Sequence, residues 1–479
     1  MAEEVWMLQT KKADFKQIGA RFRIDPVTAR IIRNRGIEGE AAIDRYLNGT
    51  LDDLYDPMLL KDMERAVSIL CEAVDTGKKI RIVGDYDIDG VCSTYILLQA
   101  FERLGSDVDF EIPDRIKDGY GINESIIEQA HADGVEGILT CDNGISAFHQ
   151  VELAKKYGMT VVITDHHEVP LDGEKEKIPP ADAVIDPKQA DCPYPFPEIC
   201  GAVVAYKLVQ VLYARRGVPQ MEWLDLLEFA AIATVGDVMK LQDENRILVK
   251  YGLKKMAQTK NLGLRRLAEK NNLDLGAITA YHIGFVIGPC LNAGGRLKTA
   301  KEALALLRAQ REEEAERLAE ELKELNDTRK DMTEQGTEAA KLQVESWYQK
   351  DKVLVVFLPE CHESLAGIIA GRLREYYQKP AIVLTRGEEA VKGSGRSIDE
   401  YHMFKKLTEV SDLLLKFGGH PLAAGLSLEE KNIDEFRRRL NENAGLTEED
   451  FKAKVWIDVP MPVGYVTERL VRELSCLEP

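Results

Sequence analysis

Apolar residues along this chain arrive in two alternating rhythms. Short β-rich runs at residues 79–83, 108–112, 137–141 and 160–164 are separated by stretches of helical spacing near 63–76, 91–104, 123–132 and 146–157. Strand-helix alternation of this kind predicts a mostly parallel sheet with helices on both faces. Residues 222–287 read as helical. The charged stretch 299–346 carries Ala315, Leu318, Ala319, Leu322 and Leu325 at helical spacing. That predicts a long amphipathic connecting helix, and the stripe is too short for an intermolecular coiled coil. A second α/β unit follows, with strands expected at 352–358 and 381–384 and a helix at 365–377. Glycines then punctuate Lys392-Gly393-Ser394-Gly395-Arg396-Ser397 and Phe417-Gly418-Gly419-His420, which read as loops. The expected fold class is therefore α/β and two-lobed, with a smaller second lobe.

Composition narrows this picture only slightly. With 479 residues, 45% of them hydrophobic and 30% charged, the chain suits two or three folded domains. No apolar run approaches the ~20 residues that span a bilayer. The first residues lack the basic and apolar regions of a signal peptide. Eight scattered cysteines without a CxxC pair predict reduced thiols in a cytoplasmic protein. A net charge of −18 argues against a general nucleic-acid coat but not against a nucleic-acid enzyme, because charge acts locally.

The chemistry concentrates in Gly84-Asp85-Tyr86-Asp87-Ile88-Asp89-Gly90, directly after a strand-like run. Three carboxylates this close repel one another unless a cation neutralises them, and hard divalent cations prefer carboxylate oxygen. Asp142 in Cys141-Asp142-Asn143-Gly144 and His166 in Asp165-His166-His167-Glu168 also follow strand-like runs. In open α/β sheets, ligands gather at the carboxyl ends of the strands. Asp237, at the end of an apolar helical run, would be an expensive unpaired charge. Asp87, Asp89, Asp142, His166 and Asp237 thus form the candidate metal shell. An isolated Asp-Asn-Gly is ordinarily a turn and an isolated Asp before a helix is ordinarily a cap. Three such motifs in order, each after a strand, are what favours the metal reading.

These motifs carry a resemblance. Residues 84–90 with Asp165-His166-His167 resemble the DHH phosphoesterase superfamily. Leu291-Asn292-Ala293-Gly294-Gly295-Arg296-Leu297, Gly393-Ser394-Gly395-Arg396-Ser397 and Gly418-Gly419-His420 resemble its RecJ branch of 5′→3′ single-strand-specific DNA exonucleases. The resemblance runs from about residue 40 to the end. It implies an N-terminal segment (1–60), a DHH metal-binding domain (61–298), a connecting helix (299–346), a DHHA1 substrate domain (347–452) and the start of a truncated OB-like domain (453–479). It implies two Mn²⁺ or Mg²⁺ ions on Asp87, Asp89, Asp142, His166 and Asp237, with Asp142 bridging and Asp85 and His167 in or next to the ligand shell. It further implies a terminal-phosphate pocket from Arg115, Ser394 and Arg396, a scissile-phosphate contact from Arg296, and substrate contacts from Asn292 and His420. The two lobes would clamp a groove too narrow for duplex. The implied setting is DNA repair and recombination, with single-stranded DNA as substrate and single-strand-binding protein and a RecQ-type helicase as partners, away from membranes.

Two other readings compete. A nano-RNase or cyclic-dinucleotide phosphodiesterase of the same superfamily is usually shorter, lacks the connecting helix and opens its metal motif with a histidine. An inactive DNA-binding scaffold of the same fold loses metal ligands, and this chain keeps them.

Overall fold

The computed structural model describes residues 4–119 and 121–479. Tyr120, within the Gly119-Tyr120-Gly121 segment beside Arg115, lies outside the described residues. The chain forms two compact units. One comprises Ala13–Asn326 with Val466–Pro479, and the other the N-terminal residues to Lys12 with Asp327–Tyr465.

In the first unit, five parallel strands lie in the spatial order Val108–Glu111, Ile80–Val83, Gly137–Cys141, Thr160–Thr164 and Ala183–Ile185. Both faces are covered, as a parallel sheet requires. Ile82, Leu139 and Val162 pack with Leu70, Leu97 and Val204, whereas Val83, Ile138 and Ile163 pack with Ile126, Ile127 and Val151. The register pairs Val83 with Thr140 and Cys141 with Thr164, so the strands end level. The chain leaves the Ile80–Val83 and Gly137–Cys141 strands toward opposite sides of the sheet. The crevice between their carboxyl ends is the position where open α/β sheets hold ligands.

The helix Ile88–Arg103 is buried along most of its length, and Leu227–Gly236 is nearly all apolar. They pack so tightly that a Cβ on Gly236 would lie 2.6 Å from Ile88 Cγ2. This contact brings Asp237, which ends the second helix, to the loop that opens the first. The tail also belongs to this unit. Arg246 donates to the carbonyls of Leu477, Cys476, Glu478 and Pro479 and lies over the Tyr46 ring.

The second unit holds a five-stranded sheet in the order Leu414–Gly419, Ala423–Leu428, Val391–Arg396, Ala381–Arg386, Leu354–Phe357. The last pair is parallel and the others are antiparallel. Here the structure corrects the reading of Ser394-Gly395-Arg396 as a loop: these residues lie in the middle strand. Gly395 is there for packing, since a Cβ would lie 3.0 Å from Met403 Cε. The Gly418-Gly419 pair likewise closes a strand rather than forming a loop.

The stretch 299–346 is not one helix. Lys301–Arg308 ends before Glu312–Gln343 begins, and a π-helical turn Val344–Tyr348 follows. Three glutamates at the start of Glu312–Gln343 favour an N-terminus there, where the helix dipole is positive. The division between the two units falls inside this helix. Residues 453–479 form a strand Ala453–Ile457, paired parallel with Glu4–Leu8, and then a helix Glu468–Leu474. No helix among the described residues is long and apolar enough to cross a membrane.

Candidate metal centre

Each acidic side chain is seated by backbone. Asp87 caps Ile88–Arg103, its Oδ1 accepting the N–H groups of Asp89 at 2.9 Å and Gly90 at 3.1 Å. A Cβ on Gly90 would overlap the backbone of Asp85, so this loop can fold onto its own helix only with glycine there. Asp89 is fully buried and accepts the N–H groups of Gly201 at 2.6 Å and Ala202 at 2.8 Å. These open the helix Gly201–Arg216, whose positive end therefore holds a carboxylate. Asp85 Oδ1 accepts the Gly121 N–H at 3.3 Å.

Asp142 takes the left-handed backbone conformation, with φ of 61°, which aspartate tolerates better than most residues. Asp165 is a positioning group. It accepts N–H bonds from Ile145, His166 and His167, and its Oδ1 lies 2.8 Å from His167 Nδ1. His166 Nε2 stands among three carboxylates, 3.1 Å from Asp142, 3.4 Å from Asp89 and 3.9 Å from Asp237. His166 Nδ1 is buried without a partner among the described residues.

This concentration of buried charge is unfavourable as it stands. Burial, then Asp87, pushes Asp85 up to about 8. Burial, then Asp89 and Asp87, pushes Asp237 to about 8. Asp142 is driven well above the carboxylate range by burial and by Asp89, Asp87 and Asp85. Burial also raises Asp89, against the pull of His166. Burial lowers His166, keeping it neutral, the form that ligates metal. Asp165 behaves differently: burial would raise it, but its bond to His167 holds it below the ordinary range. Burial opposes the charge of His167, yet Asp165 lifts it to about 9.

Either protons or cations must neutralise such a cluster. Potential ligand atoms within 4.8 Å of one another fall into three groups: Asp85, Asp87 and Asp142; Asp89, His166 and Asp237; and Asp142, His166 and His167. Asp142 and His166 are each shared by two groups. Oxygen donors with one or two imidazoles suit Mn²⁺ or Mg²⁺, so the residues fit the expected cations.

The sequence reading missed several neighbours. Asp186 is buried, with Oδ2 unpartnered among the described residues. Burial, then Asp165, raises it to about 7. It follows Ala183–Ile185, a strand too short to stand out by pattern. Gly201 and Ala202 carry no side-chain signal, because they act through N–H groups. Tyr86 lies under the Arg115 guanidinium, 4.6 Å from ring centroid to Cζ, and close enough to Arg296 to feel its charge. A Cβ on Gly295 would overlap the Tyr86 carbonyl. Arg115 and Arg296, distant in sequence, thus flank one residue of the Asp85–Asp89 loop. Asn292 sits on the same helix as Arg296, Gly288–Leu297.

In the second unit, Arg396 Nη1 donates to Ser394 Oγ at 3.2 Å. Gly367, in the first turn of Ala366–Tyr377, faces both: a Cβ there would lie 2.8 Å from Ser394 Oγ and 3.0 Å from Arg396 Nη2. His420 is exposed at the turn between Leu414–Gly419 and Ala423–Leu428, its N–H bonded to Ala423 O. Ala423 pairs with Arg396, so His420 and Arg396 lie at the same end of the sheet.

Comparisons with known proteins agree with this arrangement. Residues 79–234 match the DHH family N-terminal domain, and residues 350–445 the DHHA1 domain. The chain is 37% identical to the single-stranded-DNA-specific exonuclease RecJ of Bacillus subtilis over 99% of its own length and 60% of that protein's. It is 35% identical to the RecJ of Haemophilus influenzae, covering 92% of this chain and 79% of the relative. RecJ of Thermus thermophilus solved in complex with Mn²⁺ superposes with a TM-score of 0.85 at 30% identity, covering 99% of this chain and 67% of the other. The same protein solved with Mg²⁺ gives a TM-score of 0.77 at 29% identity, covering 99% and 66%. With its carboxylate and histidine cluster at the strand ends and these relatives along nearly its whole length, the chain belongs to the RecJ family of DHH phosphoesterases.

Proposed function

We propose that this chain is a metal-dependent exonuclease that hydrolyses single-stranded DNA from its 5′ end to 5′-mononucleotides. The observation that carries the reading is the position of His166 Nε2 within 4 Å of Asp142, Asp89 and Asp237, in a chain of the RecJ family. Asp87, Asp89, Asp142, His166 and Asp237 would hold two Mn²⁺ or Mg²⁺ ions, with Asp142 shared between them. When bound, the cations supply Lewis acidity and neutralise charge at the scissile phosphate. The protein does the rest by positioning. The N–H groups of Gly201 and Ala202 fix Asp89, and Asp85 lies one residue before the Tyr86 that Arg115 covers. Asp165 holds His167 by Nδ1 and keeps it protonated near neutrality, so that the Nε2–H of His167 is a donor to a phosphate oxygen.

Arg115, Arg296 and Asn292 are the proposed strand contacts beside the metal centre. Arg396 and Ser394 offer a guanidinium and a hydroxyl to a terminal phosphate, a combination that favours anions. His420 is a proposed contact at the same sheet end. We place the activity in DNA repair and recombination, with single-strand-binding protein and a RecQ-type helicase as partners, in the cytoplasm.

The test is a comparison of a long single-stranded oligonucleotide with a dinucleotide under Mn²⁺. This reading expects processing of the long strand to mononucleotides. Hydrolysis confined to the dinucleotide would favour a nano-RNase-like enzyme instead.

A further inference from the structure

The helical segment from Ala280 to Leu297 has an unusual outer face. Tyr281 and Phe285 are large aromatic residues, 63% and 68% exposed. They stack on each other with centroids 4.9 Å apart and planes 26° from parallel. Leaving two such rings in water forgoes the burial that ordinarily stabilises large apolar side chains.

The segment's other face explains where these rings stand. Gly284 meets Val235, two residues before Asp237: a Cβ there would lie 3.7 Å from Val235 Cγ1. Gly288 meets Ile88, between Asp87 and Asp89, at 3.2 Å by the same measure. The segment is therefore docked on the backbone that carries three of the acidic groups. It runs as Ala280–His282, a π-helical turn Ile283–Ile287, and Gly288–Leu297. Such π-helical turns are rare and recur at functional sites.

Tyr281 and Phe285 share a face by their stacking, and Asn292 and Arg296, four residues apart within Gly288–Leu297, share one by the helical repeat. Asn292 Oδ1 is buried and accepts no hydrogen bond from the described residues. Residues 275–301 contain no aspartate or glutamate, while Arg296, Lys298 and Lys301 lie within them. Lys298 is paired with Glu302 and Lys301 with Glu111, and Arg296 lies close enough to Tyr86 for its charge to be felt there.

We propose that the Tyr281–Phe285 pair is a base-stacking platform for the single-stranded substrate, on the segment that also carries Asn292 and Arg296. The occupant is a nucleic-acid strand because one segment, docked beside the acidic groups, carries both exposed stacked rings and a guanidinium, the two elements that sequence-tolerant single-strand binding uses. This inference rests on the exonuclease reading and adds to it a contact away from the reacting phosphate.

The test uses the full chain and a 5′-phosphorylated oligothymidylate about 20 nucleotides long. Binding is followed in EDTA by fluorescence anisotropy and hydrolysis separately under Mn²⁺. Tyr281→Ala and Phe285→Ala are each expected to weaken binding on the order of 10-fold. Tyr281→Phe and Phe285→Trp, which keep a ring, are expected to restore it. Strands with abasic residues should lose affinity for the unaltered protein but little for the double alanine variant. Unchanged binding in folded alanine variants, or equal losses for base-bearing and abasic strands, would overturn the platform. If the unaltered protein hydrolysed the strand in that case, the exonuclease reading would stand without it. Absence of Mn²⁺-dependent hydrolysis by the unaltered protein would instead defeat the parent reading.

Discussion

Gly201 and Asp142 are packed so closely that a Cβ on Gly201 would lie 2.7 Å from Asp142 Cβ and 3.1 Å from its Oδ1. The same glycine donates its N–H to Asp89 at 2.6 Å. One small residue therefore seats two carboxylates of the centre, from a position that no side-chain motif marks.

Gly201→Ala should leave the protein folded but push Asp142 out of place. Small misplacements of catalytic groups cost on the order of 10²-fold in rate, so we expect kcat to fall at least ~10-fold and Mn²⁺ binding to weaken. Steady-state kinetics and a calorimetric Mn²⁺ titration check both. An alanine variant with unaltered kinetics and metal affinity would show that Asp142 does not need this packing.

Asp142→Asn should separate function from stability. It removes the carboxylate that the proposal shares between two cations, so hydrolysis should be lost. Without metal, burial and the neighbouring carboxylates favour the protonated Asp142 carboxyl, for which asparagine is a neutral replacement of the same shape. Without divalent metal, the variant should therefore melt no lower than the unaltered protein. Mn²⁺ should raise the melting temperature of the unaltered protein, because a ligand that binds only the folded state stabilises it, and raise that of the variant much less. Thermal melts in EDTA and in Mn²⁺ decide the matter.

Arg396→Ala should reduce the preference for 5′-phosphorylated over 5′-hydroxyl strands. Hydrogen bonds to charged groups contribute about 1.5–3 kcal/mol, so kcat/KM on the phosphorylated strand should drop ~10- to 100-fold, with a small effect on the hydroxyl strand. Arg296→Ala, beside the Asp85–Asp89 loop, should slow both. Equal losses for Arg396→Ala on both strands would make it a general strand contact.

The ion pair across the sheet edge gives a pH dependence. Arg81 donates to Asp109 at 2.7 and 2.8 Å and to Asp133 at 2.8 Å. Burial would raise Asp109, but the Arg81 and Lys79 bonds hold it below the ordinary value. A carboxylate depressed in the folded state stabilises above its unfolded pKa, about 3.9, and loses that contribution as pH falls through the folded value. Asp109→Asn should therefore cost about 1–2 kcal/mol at pH 7, with the difference shrinking below pH 4. Urea melts across pH measure it, and a pH-independent difference would contradict the ionic origin.

Much of the first unit could be read from the chain because its signals are local. The strands at 80–83, 137–141 and 160–164 are β-branched runs bounded by polar turns, and the structure has them at the same places. Asp87, Asp89, Asp142 and His166 were legible for the same reason, each lying just beyond such a run. Asp186 was not, because its strand is three residues long. Ala202 contributes only an N–H group, which every non-proline residue has, and Gly201 adds to its N–H only the absence of a side chain. The misreading of Ser394-Gly395-Arg396 arose because glycine marks loops by composition, whereas here it yields space to Met403 between strands. The split of 299–346 into two helices was hidden because no glycine or proline stands at 309–311.

The most direct test of the account is one reaction on single-stranded DNA labelled differently at its two ends, run with Mn²⁺ and with EDTA. The account expects the 5′ label to appear at once as mononucleotide while the 3′ label persists on long, shortening strands, and it expects EDTA to stop both. Early release of the 3′ label with the 5′ label retained on long products, or undiminished hydrolysis in EDTA, would contradict it.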